Sequence, residues 1–204
     1  MDKNEFLSGV NQLIKENRQT YSNFPKRIIS DYNRENESVK EYNGRQILEL
    51  LQNADDASAK AVHINFDKAA CKLSIANMGD PFSIGGIESL MLANLSTKTR
   101  KIFIGNKGLG FRSILNWATK ICIRTNGCMV EFSPEIAKME FELAVKSSEE
   151  KTALLSERGL TEKTIPFPIL AIPKIDFDEY PHNEWTTIIE IHYKKEFESS
   201  IETQ

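Results

Sequence analysis

The chain has 204 residues, 40% hydrophobic and 27% charged, ordinary proportions for a globular domain able to bury a sizeable core. Twenty-six Lys and Arg against 29 Asp and Glu give a net charge of -3, without the basic footprint of a nucleic-acid binder. No apolar run approaches membrane-spanning length, and Met1 to Glu5 lack the charged-then-apolar pattern of a secretory signal, so the expectation is a soluble cytoplasmic protein.

Residues 1–204 read as a single domain with a helical extension over about residues 1–40. Phe6, Val10, Leu13 and Ile14 recur at helical spacing, and Pro25 punctuates the way into a second, short helix. A long helix is expected from Asn36 or Tyr42 to Ala57, with Gly44 a weak point near its start. The period then changes to two: Val62, Ile64 and Phe66, then Leu73 and Ile75, predict two strands around the turn Asp67 to Ala70. Pro81 ends this regular stretch, Ile84 to Leu92 reads as a helix, and residues 93–110 as a long polar loop. Helix is expected again from Phe111 to Ala118. Ile121 and Ile123 lead into Asn126-Gly127, a hairpin signal, with Met129 to Phe132 as the returning strand. Residues 133–163 are charged and weakly helical, the prolines at 166, 168 and 173 predict extended chain, and Thr187 to Tyr193 alternate as a last strand. Helices interspersed with antiparallel strands give an α+β class, a sheet covered on one face. Cys71, Cys122 and Cys128 lie in apolar segments without metal-ligand spacing and read as reduced core residues.

Four segments carry chemistry. In the run from Glu49 to Ala57, Glu49, Asn53 and Asp56 fall at i, i+4 and i+7, one polar stripe on a helix whose Ile47, Leu50, Leu51 and Ala54 mark the core side. Gly105, Gly108 and Gly110 form a glycine loop running into a helix start, where backbone amides can approach an anion. This loop has neither the Walker nor the dinucleotide-binding spacing. After a strand, Asn77-Met78-Gly79-Asp80-Pro81-Phe82 offers a carboxamide that complements the N6 and N1 groups of adenine, beside a glycine that would let a flat ring approach. Finally a threonine opens the late strand, and Thr187 shares a face with Ile189 and Ile191.

In this order and spacing the four segments resemble the GHKL superfamily of ATPases, to which the gyrases and a heat-shock chaperone belong. The run Gly44 to Ala57 is similar to the sacsin-like branch, as is Ser96-Thr97-Lys98 followed by Ile104-Gly105. The resemblance implies a Bergerat fold: a two-layer sandwich with a mixed, mostly antiparallel sheet, helices on one face, and an ATP lid over about residues 93–110. It implies that Glu49 is the general base activating water, that Asn53 is the Mg²⁺ ligand, and that Asp56 lies near the purine edge. It further implies that Asn77 and Gly79 read the base, that Phe82 packs on it, and that Thr187 supports it. Phosphates would be wrapped by Gly105, Gly108, Leu109, Gly110 and Phe111, with Lys98 and Lys107 as charged neighbours. Two departures stand out. Asn77 occupies a position that is usually Asp, and Pro81 replaces a second glycine. A carboxamide donates as well as accepts, so the base edge it reads is less restricted.

The expected function is therefore Mg²⁺-dependent ATP binding and hydrolysis, slow in isolation because a lid must first assemble the site. That hydrolysis would drive conformational cycling in a chaperone-like or defence-type protein. The alternative is a nucleotide-binding regulatory or scaffold module with little turnover. The expected partners are the nucleotide, a client protein or further domains of a longer chain, and a second copy through nucleotide-dependent dimerisation. No direct nucleic-acid contact and no membrane are expected. A histidine-kinase catalytic domain is disfavoured because His63, His182 and His192 do not lie on a preceding dimerisation helix.

Overall fold

A computed structural model describes residues 1–41, 44–92, 109–156, 160, 165–179 and 184–204. Three helices come first: α1 (Lys3–Asn23), α2 (Lys26–Glu41) and α3 (Gln46–Asp56). The hairpin β1 (Val62–Asp67) and β2 (Lys72–Asn77) is followed by α4 (Ile84–Met91). Then come α5 (Leu109–Arg112), a 3-10 turn at Ser113–Asn116, and the hairpin β3 (Ala118–Thr125) and β4 (Cys128–Phe132). The chain continues through α6 (Pro134–Ala144), α7 (Ser148–Ser156), β5 (Lys174–Phe177), β6 (Thr187–Tyr193) and α8 (Glu198–Glu202).

The six strands form one sheet in the order β1-β2-β6-β3-β4-β5, and every pairing among the described residues is antiparallel, where a mixed, mostly antiparallel sheet was expected. Strand β6, last in sequence, is inserted between β2 and β3. Its alternation is complete: Thr187, Ile189, Ile191 and Tyr193 are buried, while Ile188, Glu190 and His192 are half-exposed on the other face. The buried row packs with Phe6, Val10 and Ile14 of α1, Leu50 of α3 and Ile87 of α4 in one core. On the opposite face Glu190 accepts from Lys72 Nζ at 3.2 Å and Arg124 Nε at 2.9 Å, and Arg124 reaches Asp178 at 2.8 Å. This is an α+β protein whose sheet has an apolar face and an ion-paired face. No helix among the described residues is long and apolar enough to cross a membrane.

Several expectations need correction. Helix α2 runs for 16 residues and is not short. The single helix drawn from Asn36 or Tyr42 to Ala57 does not form as one, because Gly44 adopts φ +87°, a left-handed conformation open to glycine, and α3 begins only at Gln46. Leu109 and Gly110 belong to α5 and not to a loop; residues 93–108 lie outside the described residues. The helix predicted to reach Ala118 stops at the 3-10 turn, and Ala118 already starts β3. Strand β5 follows the proline-rich stretch as an unforeseen edge strand. The hairpin at Asn126-Gly127 does form, with φ +50° and +68°, both central residues left-handed as a type I′ turn requires. Cys71, Cys122 and Cys128 are all unpaired; Cys122 and Cys128 are buried, whereas Cys71 is half-exposed.

The segment before β5 is tied down by a buried carboxyl group. Phe167, Leu170, Ala171 and Ile172 are core residues, and this irregular backbone needs partners for its amides. Glu35 of α2, 3% exposed, supplies them: its carboxylate accepts from Ile169 N–H at 2.6 Å and Leu170 N–H at 3.1 Å. Burial pushes the Glu35 carboxyl from 4.5 up to about 7, although the two amides and the Arg112 guanidinium pull it down. As pH rises, the unfolded chain ionises first, so between 4.5 and about 7 the folded state holds the extra proton. Stability from this group is therefore greatest below that window and is lost as pH rises through it. Urea titrations should show stability falling between pH 5 and pH 7 by up to about 1.4 kcal/mol per pH unit from this one group, and Glu35→Gln should flatten that slope.

Candidate functional site

A cavity of about 600 Å³ opens between α3, α4 and the ends of β2 and β6. Its apolar wall is made by Leu50 and Ala54 of α3, Ile75 of β2 and Ile189 of β6, with Phe111 of α5 closing one side. Helix α3 turns its buried Leu50 and Ala54 to the core, which leaves half-buried Asn53 and exposed Asp56 on the same cavity. Such a mainly apolar concavity with a few convergent polar groups is the usual form of a small-molecule site.

The polar groups at its floor follow from strand register. Asn77 lies directly opposite Thr187, and Thr187 directly opposite Thr125, so three polar side chains form a row across β2, β6 and β3 on the core face. Exposures are 6%, 1% and 1%. Apolar residues fill the adjacent rows, Ile75-Ile189-Ile123 and Leu73-Ile191-Ile121. Within the polar row Thr125 is fully engaged: its hydroxyl accepts from Phe82 N–H at 3.2 Å and donates to Thr186 O at 3.3 Å. Thr187 is not: its Oγ1 is buried without a hydrogen-bond partner among the described residues. A buried hydroxyl left unpaired costs about 1–3 kcal/mol, and this one belongs to a residue that lines the cavity. Asn77 is half engaged. Its Oδ1 accepts from Gly79 N–H at 3.0 Å, and its Nδ2 has no partner among the described residues.

The turn after β2 is held from three sides. Asp80 N–H donates to Ala57 O at 2.7 Å, fixing the turn to the end of α3. Thr186 N–H donates to Asn77 O at 3.0 Å and its hydroxyl to Gly79 O at 2.6 Å. Asn126, at the tip of the β3–β4 hairpin, donates from Nδ2 to Phe82 O at 2.7 Å. These bonds aim Pro81, Phe82 and Ser83 along the cavity rim, and the Ser83 hydroxyl then caps α4 by accepting from Gly86 N–H at 3.0 Å.

Of the residues singled out from sequence, Asn53, Asp56, Asn77, Phe82, Phe111 and Thr187 line this one cavity. Glu49 does not line it; it packs against Gly110 at the start of α5, where a Cβ would overlap its carboxyl group. Gly79 is not in the wall either. Its missing side chain serves a different contact, because a Cβ there would come within 3.0 Å of the Ala57 carbonyl carbon and closer still to its oxygen. Gly110, in α5 next to Phe111, is not part of the cavity wall. Lys98, Gly105, Lys107 and Gly108 lie outside the described residues. Sequence reasoning missed Thr125, Thr186 and Asn126, whose roles depend on which strands pair, and also the α4 residues Gly85, Gly86, Glu88 and Ser89 along the rim. The sequence hinted at two of them, through the Asn126-Gly127 hairpin signal and the Thr186-Thr187 pair that opens the late strand.

Among the described residues no group of three or more His, Cys, Asp or Glu side chains could hold a metal by themselves. No protein-family model matches the chain, and no curated protein matches it.

The two glycines should respond differently to alanine. At Gly79 the added methyl meets fixed backbone, so Gly79→Ala should destabilise by about 1–3 kcal/mol in thermal or urea unfolding. At Gly110 it meets the far end of a flexible side chain, so Gly110→Ala should leave stability within about 1 kcal/mol of wild type while displacing the Glu49 carboxylate. Thr187→Val replaces the unpaired hydroxyl by a methyl of similar size, and should raise the stability of the ligand-free protein by about 1 kcal/mol.

Proposed function

We propose that this chain is a purine-nucleotide-binding domain that hydrolyses ATP with Mg²⁺, built on a Bergerat-type fold of the GHKL class. The observation that carries the proposal is the unpaired, buried Thr187 hydroxyl beside the half-engaged Asn77, at the floor of a cavity also lined by Asn53, Asp56, Phe82 and Phe111. Asn77 and Thr187 offer hydrogen bonds to a base edge, and Phe82 offers its ring to a base face. The two-layer α+β arrangement supports the fold assignment, as does the order of the segments that meet at the cavity.

The reaction needs water activated and phosphate charge neutralised. Glu49, one helical turn before Asn53, is the carboxylate assigned to deprotonate water, a role typically worth about 10²–10⁴-fold. Asn53 is a neutral oxygen donor of the hard type that Mg²⁺ takes, and with phosphate oxygens it would complete the kind of set this ion prefers. When bound, the ion supplies charge neutralisation at the phosphates. Gly110 makes room for the Glu49 carboxyl, so the base and the first turn of α5 are positioned together.

A second reading, a binding module with little turnover, is favoured by one observation: Glu49 is not part of the cavity wall. Calorimetry with Mg·ATP and phosphate-release assays separate the two. Wild type should bind and release phosphate slowly. Glu49→Ala should bind with unchanged affinity and lose at least about 100-fold in release rate. Equal release by mutant and wild type would remove Glu49 from the mechanism, and binding with no release by either would establish the module reading.

A further inference from the structure

We infer that the base end of this cavity takes 6-oxopurine nucleotides about as well as 6-aminopurine nucleotides, because the Asn77 carboxamide and the Thr187 hydroxyl can each serve either edge. The inference rests on the nucleotide reading above and concerns which purines that site admits.

A 6-aminopurine presents a donor, the exocyclic N–H, next to an acceptor, N1. A 6-oxopurine presents the reverse, an acceptor O6 next to a donor N1–H. Discrimination between them requires a buried group of one fixed sense. A carboxylate is such a group, since it only accepts. Among the described residues the cavity floor has none: the polar side chains there with bonding capacity left are Asn77 and Thr187, adjacent across β2 and β6 and both buried.

The bond from Gly79 N–H to Asn77 Oδ1 sets the orientation of the carboxamide, leaving Nδ2 as a donor together with the second lone pair of Oδ1. Nδ2 can donate to N1 of one base type or to O6 of the other. The Thr187 hydroxyl rotates, and with no partner of its own it can donate or accept as the base requires. Thr125 does not bias the choice, because its hydroxyl is already held between Phe82 N–H and Thr186 O. Three carboxylates also line the cavity, at Asp56, Asp80 and Glu88, but none is buried, and water competes for their lone pairs. A site with a buried group of one fixed sense rejects the mismatched analogue by about 10⁴–10⁵, whereas two ambivalent groups leave no group unpaired with either base.

The test compares Mg·ATP with Mg·ITP, which differ only at position 6 and the N1 proton, by calorimetry on the whole 204-residue chain. Dissociation constants within about tenfold of one another are expected for the wild type. Asn77→Asp keeps an acceptor for the Gly79 N–H and removes the Nδ2 donor, so the ratio of ITP to ATP dissociation constants should rise by at least about tenfold. ATP binding with ITP weaker by more than about 100-fold would overturn the inference and leave the nucleotide reading intact. Binding of neither would overturn both. An unchanged ratio in Asn77→Asp would remove Asn77 from base reading and overturn the inference in the form given.

Discussion

Strand β6 is hydrogen-bonded on both sides, to β2 from Lys72 to Asn77 and to β3 from Ala118 to Thr125. Its register decides what the cavity floor contains. Side chains alternate with period two, so a slip of one residue would carry Thr187 to the ion-paired face and bring a neighbour such as Ile188 inward. The observed register instead sets Thr187 between Asn77 and Thr125, with Ile189 and Ile191 stacked behind it in the core. It also lays Thr186 over the Asn77-Gly79 turn, where its hydroxyl and amide hold two carbonyls. One pairing choice therefore fixes both the polar floor and the turn beside it.

What could be read beforehand follows the range of each interaction. The β3–β4 hairpin and the alternation of β6 are local patterns, and each appears where its periodicity put it, whereas of the α3 stripe Asn53 and Asp56 reach the cavity and Glu49 packs on Gly110. The grouping of Asn53, Asp56, Asn77, Phe82, Phe111 and Thr187 around one cavity came from their order along the chain, which a resemblance could supply but spacing alone could not. Thr125 and Asn126 were invisible because their contacts, to Phe82 some forty residues away, exist only once β6 has brought β2 and β3 together. Gly79 shows a different limit. A glycine was expected there, but for ligand approach, and its crowded neighbour is Ala57 of the same chain. Sequence can say that a side chain is missing without saying what occupies the space.

The polar row is expensive where it stands. Three polar residues in place of Ile or Val forgo apolar burial worth about 1.5–3 kcal/mol each, and the Thr187 hydroxyl adds a desolvation penalty with no bond in return. Thr125 recovers part of its cost by holding the Phe82 backbone; Asn77 recovers part by closing the Gly79 turn. Thr187 recovers nothing within the described residues. A ligand edge that bonded Thr187 and Asn77 would convert this deficit into affinity, and the protein would gain stability in proportion to occupancy. Departures from local consistency of this kind occur at functional positions, and the proposed base site is where this one falls.

The walls of the cavity are joined to the rest of the helical layer through buried ionic groups. Arg112, at the end of α5, donates from Nη2 to Leu90 O at 2.8 Å, so the helix that contributes Phe111 is tied to the helix that contributes Leu90. Arg112 in turn feels the Glu35 carboxyl, whose oxygens hold the Ile169 and Leu170 amides. Removing one partner from such a buried set leaves the other charge uncompensated, which costs more than the pair itself is worth. The set therefore joins α2, α5 and the segment before β5 as one unit behind the cavity. Glu49, half-buried on α3 against Gly110, meets that unit at the first turn of α5. In the proposed mechanism this packing would hold the Glu49 carboxylate in place, and a general base depends on placement as much as on proton affinity.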